Sequence, residues 1–226
     1  MISARHGQAE VWQPVCLPPS EVPERGLTPC QKQLDALGLV YRPWSQPTRS
    51  PQGHPELLCE VPDPVWLTGP IHGVSLVDAH NGHKGPLWVS CPMALALEKM
   101  AGVLERHDIV EVHHVGAYNC RTLRTAPRLS QHAHGAALDI VALVDKHGDK
   151  MSLSKHWEKG QLKPASRRGR VLLEVARAWH TEQIFNVVLT PEYNQAHEDH
   201  FHVDLSPNKH FLSTSKAEVL MGPMGD

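Results

Sequence analysis

Apolar residues recur at helical spacing in two stretches of the chain. The first stretch predicts a helix over about residues 91–106, with apolar side chains four, three and four positions apart on one face: Met93, Leu97, Met100 and Leu104. The second predicts a helix over about residues 165–181, with its apolar face formed by Leu172, Val175, Ala176 and Trp179. We expect both faces to pack into the core, since amphipathic helices bury their apolar side.

Shorter apolar or alternating runs predict strands. Four such runs stand in the second half of the chain: Ile109–Val115, Ala136–Val144, Phe185–Leu189 and Phe201–Leu205. Between residues 30 and 90, short apolar runs interrupted by Pro and Gly indicate short strands and loops. Because strands and helices do not alternate as βαβ units, the pattern favours an α+β fold, with a small antiparallel sheet flanked by helices.

The chain divides by composition into three parts. Residues 1–28 are rich in Pro and polar residues and predict an extended arm, whereas residues 29–206 form the folded domain. Residues 207–226 predict a polar tail that frays. A chain of 226 residues is long enough to bury a core without help from disulfides or metals.

Charge and apolar content exclude some classes of partner. The 22 basic and 24 acidic residues give a net charge of −2, and no basic block marks a nucleic-acid surface. No apolar stretch is long enough to predict a transmembrane helix, and the first residues lack the pattern of a signal peptide. The five cysteines contain no C-x-x-C pair, and they fit either two disulfides with one thiol or five reduced cysteines.

Histidine is abundant, at 17 of 226 residues, and its spacing carries the first chemical prediction. Asp139 lies inside a strongly apolar predicted strand, where an ionised carboxylate is costly unless a metal ion or an arginine pairs with it. His132 precedes it by seven residues, and Gly135 between them permits a tight turn. A loop histidine and a strand aspartate can therefore converge on one point.

A second cluster spans residues 197–204. His200 and His202 share one face of a strand, because residues two apart point the same way. Catalytic zinc sites use three nitrogen or oxygen ligands and keep one position open for water, so we expect one Zn²⁺ held by His132, Asp139 and His202. The same ligands also suit manganese, iron or cobalt. Three side chains remain near the open position to accept a proton: His197, Asp199 and His200.

These motifs resemble known zinc peptidases. The pattern S-x-H-x-x-G-x-A-x-D over 130–139, followed by H-x-x-H-x-H over 197–202, is similar to D-alanyl-D-alanine carboxypeptidases, murein endopeptidases and the hedgehog amino-terminal domain. More narrowly, three segments and the order of the cysteines resemble the bacterial extensin-like C-terminal domain family over roughly residues 30–205: Tyr118–Arg121, Leu129–Ile140 and Leu189–Asp204.

The resemblance implies a function and a location. It implies a zinc-dependent hydrolase of peptide bonds in bacterial peptidoglycan, of endopeptidase or carboxypeptidase type, with metal-bound water as the nucleophile and a metal core over residues 116–205. The relatives' motifs match the metal ligands named above. The implied location is the periplasm or the outside of the cell, which favours disulfides over reduced cysteines.

The resemblance also assigns catalytic roles. Asp199 matches the general base of the carboxypeptidases, while His197 and His200 match the extra histidines of the endopeptidases. Arg121 stands where relatives hold the substrate or the developing oxyanion, with Arg124 as a weaker candidate.

One departure from the family concerns the cysteines. This chain has Trp179 and His180 where the relatives that it resembles carry a further cysteine, so the pairing stays open. Cys30–Cys59 and Cys91–Cys120 are the pairings that we expect.

Three alternative functions stay open. The chain could be a non-catalytic zinc-containing module that binds the cell wall or a protein, a wall amidase, or a cytosolic protein that buffers metals through its excess histidines.

Overall fold

The structure, a computed structural model, describes residues 26–45 and 48–213. Four helices are present in this part of the chain: α1 (Pro29–Ala36), α2 (Cys91–Glu105), α3 (Leu153–His156) and α4 (Arg167–Thr181). The strands of its first half are β1 (Tyr41–Pro43), β2 (Pro64–Leu67), β3 (Ser75–Asp78), β4 (Leu87–Ser90), β5 (Ile109–Gly116), β6 (Thr122–Leu123) and β7 (Ala126–Leu129). The strands of its second half are β8 (Ala137–Asp145), β9 (Lys150–Ser152), β10 (Val187–Leu189), β11 (Phe201–Asp204) and β12 (Phe211–Leu212).

The largest sheet has seven strands and is mixed. Its order is β12-β10-β11-β8-β5-β3, and β9 pairs with the distal half of β8. The central pairs are antiparallel, whereas β3 runs parallel to β5 and β12 parallel to β10. The α+β class is therefore confirmed, but the prediction of a small antiparallel sheet is wrong. The short parallel edge strands lack the length and alternation that would predict them.

The two long helices cover one face of this sheet. Both predicted apolar faces are confirmed as core, because all eight of their side chains are buried. Helix α2 begins after Ser90, whose Oγ accepts the Met93 N–H, and α4 begins after Ser166, whose Oγ accepts the Gly169 N–H. Each serine satisfies one of the amide groups that the first turn of a helix leaves without an intrahelical partner.

A separate three-stranded sheet, β1-β2-β4, packs beside the first turns of α2. Its β2 and β4 alternate between buried residues facing the core and residues facing outward. Helix α1 lies next to it, although the sequence pattern predicted only strands and loops there. A capping box between Thr28 and Gln31, with Pro29 at the first helical position, starts this eight-residue helix.

Two disulfides join segments that are distant in the sequence. They are Cys30–Cys91 and Cys59–Cys120, so the predicted pairings Cys30–Cys59 and Cys91–Cys120 are wrong. The physical reason is that α1 packs against α2, and each of these helices carries a cysteine in its first turn. Two disulfides are typical of proteins that fold in an oxidising compartment outside the cytosol.

The C-terminal end of the domain differs from the prediction made from composition. Phe211–Leu212 lies within the range predicted as a tail, yet it adds a strand to the large sheet. The arm at residues 1–25, which includes Cys16, and residues 214–226 lie outside the described residues. Among the described helices, none combines the length and the apolar character needed to cross a bilayer.

Candidate metal centre

Three side chains from distant parts of the sequence meet at the middle of the large sheet. Strands β8 and β11 pair antiparallel with His202 directly opposite Asp139, so their side chains lie on the same face. His132 comes from a single 3₁₀ turn, Gln131–His134, that connects β7 to β8. The structure thus brings together the three residues that the sequence predicted as ligands.

Local sequence fixes the turn that carries His132. Ser130 caps the turn, and its Oγ accepts the His132 N–H at 3.3 Å. Gly135 ends the turn with a φ of +58°, in the left-handed region that favours glycine. A Cβ at this position would lie 2.9 Å from the Ser90 backbone nitrogen, so a glycine is needed for the close approach of β4 as well.

The distances between the three side chains suit one small cation. The His132 Nε2 atom lies 3.2 Å from His202 Nδ1 and 3.2 Å from Asp139 Oδ2, and His202 Nδ1 lies 2.8 Å from Asp139 Oδ1. Ligands bound tetrahedrally to zinc at 2.0–2.1 Å are about 3.3–3.4 Å apart, by the geometry of a tetrahedron. The three atoms therefore fit a zinc ion with only small movements.

Both histidines are oriented through their other ring nitrogen. The Ala117 carbonyl can only accept, so His132 Nδ1 donates to it at 2.6 Å and the Nε2 lone pair faces the cluster. His202 Nε2 donates to Asp204 Oδ2 at 3.0 Å, and the Ser206 N–H donates to Asp204 Oδ1 at 2.7 Å. Hydrogen bonds of this kind, to a carbonyl or a carboxylate, are typical of histidines that bind metals.

The electrostatics of the cluster favour a cation. Burial lowers the pKa of His202, but hydrogen bonds and charges from Asp139 and Asp204 outweigh burial and raise this pKa to about 9. Burial raises the pKa of Asp139, but the hydrogen bonds and charges of His132 and His202 outweigh burial and hold this pKa well below its usual range. Asp139 is therefore the ionised carboxylate at the cluster, while the charge of Asp204 lies on the far side of the His202 ring and supports it through Nε2.

The remaining candidates of the second cluster line one side of the centre. His200 Nδ1 donates to Asp199 Oδ1 at 2.8 Å, and its Nε2 lies 3.8 Å from Asp139 Oδ1. The Asp199 side chain itself is 63% exposed. His197 stands 5.2 Å from His200 between ring centres, and its Nδ1 donates to Asn194 Oδ1 at 2.7 Å. Sequence reasoning gave Asn194 no role, although Asn194 lies in the Leu189–Asp204 segment that resembles the family.

Comparison with known proteins gives a family. The profile of the family described as Extensin-like protein C-terminus matches residues 28–213, which is most of the chain. The chain belongs to the extensin-like C-terminal family. Neither a curated protein nor a solved structure matches it. All eight candidate site residues of this extensin-like chain, Arg124 included, lie inside the matched range.

The two arginine candidates occupy different places in this extensin-like domain. The Arg121 guanidinium is half-buried, and its Nη1 donates to the Thr122 carbonyl at 3.5 Å. Arg124 lies on the exposed turn between β6 and β7, and its charge reaches His197. Burial and the charges of His200, His202 and Arg124 lower the pKa of His197 to about 4 against the opposing charge of Asp139. Of the two arginines, Arg124 is therefore the one whose charge acts on the neighbouring His197.

Proposed function

We propose that this extensin-like chain is a zinc-dependent hydrolase of peptide bonds in bacterial peptidoglycan, related in mechanism to the zinc peptidases that its motifs resemble. The observation that carries the proposal is the convergence of His132 Nε2, His202 Nδ1 and the Asp139 carboxylate, which all lie within 4.8 Å of one another. When bound there, zinc supplies a Lewis acid that polarises the scissile carbonyl and lowers the pKa of the attacking water.

The neighbouring side chains supply the proton transfer. His200 donates its Nδ1 hydrogen to Asp199, so its Nε2 lone pair is free to accept a proton next to Asp139. This nitrogen takes the proton of the attacking water and later delivers it to the leaving amine. Asp199 acts as a positioning residue, because its contact with His200 fixes the ring and its tautomer.

Charged groups near the opening of the site bind the substrate. A peptidoglycan stem peptide carries carboxylates, and a guanidinium binds a carboxylate through charge-assisted hydrogen bonds. Arg124 fills this role by its charge and its exposure, while Arg121 supports the turn that leads to His132, since its carbonyl accepts the Ser130 N–H at 3.1 Å. The disulfides agree with a periplasmic or secreted location, where this substrate is found.

The test compares two histidines of one turn. His132→Ala removes a proposed ligand, whereas His134→Ala removes a histidine whose Nδ1 bonds to the Glu60 carbonyl, outside the three-residue cluster. We expect the wild type and His134→Ala to bind one zinc ion per chain. Both should also release new peptide fragments from purified peptidoglycan, which mass analysis detects. His132→Ala should lose both the zinc and the fragments.

Three other results would contradict the proposal. Zinc bound with unchanged fragment masses would indicate a non-catalytic wall-binding module. Fragments cut between sugar and peptide would indicate an amidase. Several ions per chain that persist in His132→Ala would indicate metal buffering.

A further inference from the structure

Four aromatic rings pack together on the outer surface of the three-stranded sheet. Trp44 and Trp88 stack with ring centres 5.2 Å apart, and Trp66 meets Trp88 edge-on at 6.0 Å. Tyr118 meets Trp44 edge-on at 5.4 Å. We call Trp44, Trp66, Trp88 and Tyr118 the aromatic platform.

The aromatic platform faces away from the core. Trp66 and Trp88 are partners across β2 and β4, and the residues on either side of each in the strand are buried. Trp88 is 43% exposed, and three of the six tryptophans of the chain belong to the platform. Since large aromatic side chains stabilise a protein most when buried, a packed group of them at the surface indicates a binding surface.

The aromatic platform is continuous with the candidate metal centre. Tyr118 lies between Ala117, whose carbonyl accepts from His132 Nδ1, and Asn119, whose N–H donates to the His132 carbonyl at 3.1 Å. The Cys59–Cys120 disulfide fixes this segment to the chain before β2. The segment that carries Tyr118 therefore also holds His132, so the platform and the candidate metal centre are neighbours in the fold.

We propose that the aromatic platform binds pyranose rings of the glycan strand, so that the enzyme holds the sugar chain while it cuts the attached peptide. This proposal rests on the proposed function for the identity of the polymer. The flat face of a β-linked pyranose presents C–H groups that pack against an indole ring, while its hydroxyls point outward. Arg42, exposed and directly opposite Trp66 on the same face, supplies hydrogen-bond donors for such hydroxyls.

The size of the platform favours a sugar over a protein partner. A stable protein interface buries about 800 Å² on each partner and uses roughly 20–30 residues a side. The platform offers four rings that already cover one another, and three of them are half-buried. This surface is therefore too small for a stable protein interface, whereas a sugar ring needs only one exposed aromatic face.

The experiment measures binding to glycan strands from which all peptides have been removed. We expect the full chain to be retained on this material, and Trp88→Ala to reduce its affinity about tenfold, as the loss of one stacking contact does. Trp88→Phe keeps a ring and should retain an intermediate affinity. Leu162→Ala is the matched control, because Leu162 is exposed to the same extent, 42%, but lies outside the platform.

The outcomes separate this proposal from the proposed function. His202→Ala should bind the stripped glycan as the wild type does, since it removes a proposed ligand whose ring hydrogen bonds reach only His132, Asp139 and Asp204 and not the Tyr118 segment. Two results would overturn the platform even if peptidoglycan is cut. One is that the full chain is not retained on the glycan. The other is that Trp88→Ala and the wild type bind the glycan equally well and have the same thermal unfolding midpoint. Retention without any cutting would overturn the proposed function and leave the platform standing.

Discussion

At the scale of single residues, the structure separates two side chains that the sequence treated alike as proton acceptors. Asp199 is mostly exposed and contacts the ring of His200, whereas His200 Nε2 faces the Asp139 carboxylate. An aspartate that supports a histidine acts through the orientation of the ring, so its loss costs less than the loss of the ring itself. The site motif alone favoured Asp199 as the base.

The first prediction compares His200→Ala with Asp199→Asn. We expect His200→Ala to lower kcat by at least about a hundredfold, the low end of acid–base contributions. Asp199→Asn should lower kcat by a smaller factor, because the amide oxygen still accepts from His200 Nδ1. Steady-state kinetics on peptidoglycan fragments, with zinc content as a control, measures both. Equal activity of His200→Ala and the wild type would assign the base to another group.

A second prediction concerns Asp204, which holds His202 through its Nε2 hydrogen. Asp204→Asn should weaken zinc binding about tenfold to a hundredfold, the usual effect of losing a carboxylate that orients a ligand histidine. Competition with a coloured chelator measures the affinity without reference to catalysis. Asp199→Asn is the control and should bind zinc as tightly as the wild type, since Asp199 contacts none of the three proposed ligands.

At the scale of elements, the turn between β8 and β9 connects the large sheet to α4. Asp145 Oδ1 accepts the N–H groups of His147 and Asp149, and its Oδ2 accepts from Arg167 in the first turn of α4. These interactions hold the pKa of Asp145 below its usual value, with the Asp149 N–H as the main cause. The buried carboxylate therefore stabilises the fold only while it is ionised.

This gives a third prediction, on the pH dependence of stability. A carboxyl group with a lowered pKa in the folded state stabilises above its unfolded-state pKa of about 3.9 and loses that effect as the pH falls through the folded-state pKa. Asp145→Asn should lower the thermal midpoint at pH 7, and the difference from the wild type should shrink below about pH 4. Arg167→Gln should reduce this pH-dependent difference only in part, because the Asp149 N–H is the main cause of the lowered pKa. A constant offset between Asp145→Asn and the wild type at every pH would contradict the mechanism.

The elements also show what the sequence could predict. Helices α2 and α4 were predictable because four or more turns repeat one apolar face. Helix α1 was missed because eight residues show no clear period, and only its capping box marks it. The three proposed ligands were predictable because Asp139 interrupts an apolar strand. The Ala117 carbonyl was not, since a backbone acceptor has no signature in the sequence.

At the scale of the whole molecule, two disulfides of equal span make a matched pair. Each joins cysteines 61 positions apart, so each restricts the unfolded chain to the same extent, worth about 4 kcal/mol in the chain-entropy treatment. They differ in position. Cys59–Cys120 fixes the segment that holds His132, whereas Cys30–Cys91 joins α1 to α2.

The fourth prediction uses this match. Replacing either pair of cysteines by serine should lower the unfolding free energy by a similar amount, about 4 kcal/mol. Only the Cys59→Ser and Cys120→Ser double variant should also weaken zinc binding, because Ala117 loses its anchor. Denaturant titration and chelator competition measure the two effects. Equal loss of zinc affinity in both double variants would show that the effect is global.

Strand β12 has a practical consequence for anyone who expresses this domain. Ser213 Oγ accepts the Thr190 N–H, and the Thr190 hydroxyl donates to the Ser213 carbonyl. These two hydrogen bonds connect the segment after β12 to the start of the loop that carries Asn194 and His197. A recombinant fragment that ends at residue 206, where the polar composition begins, would lack both hydrogen bonds. It would keep all three proposed ligands and still release the loop that carries Asn194 and His197.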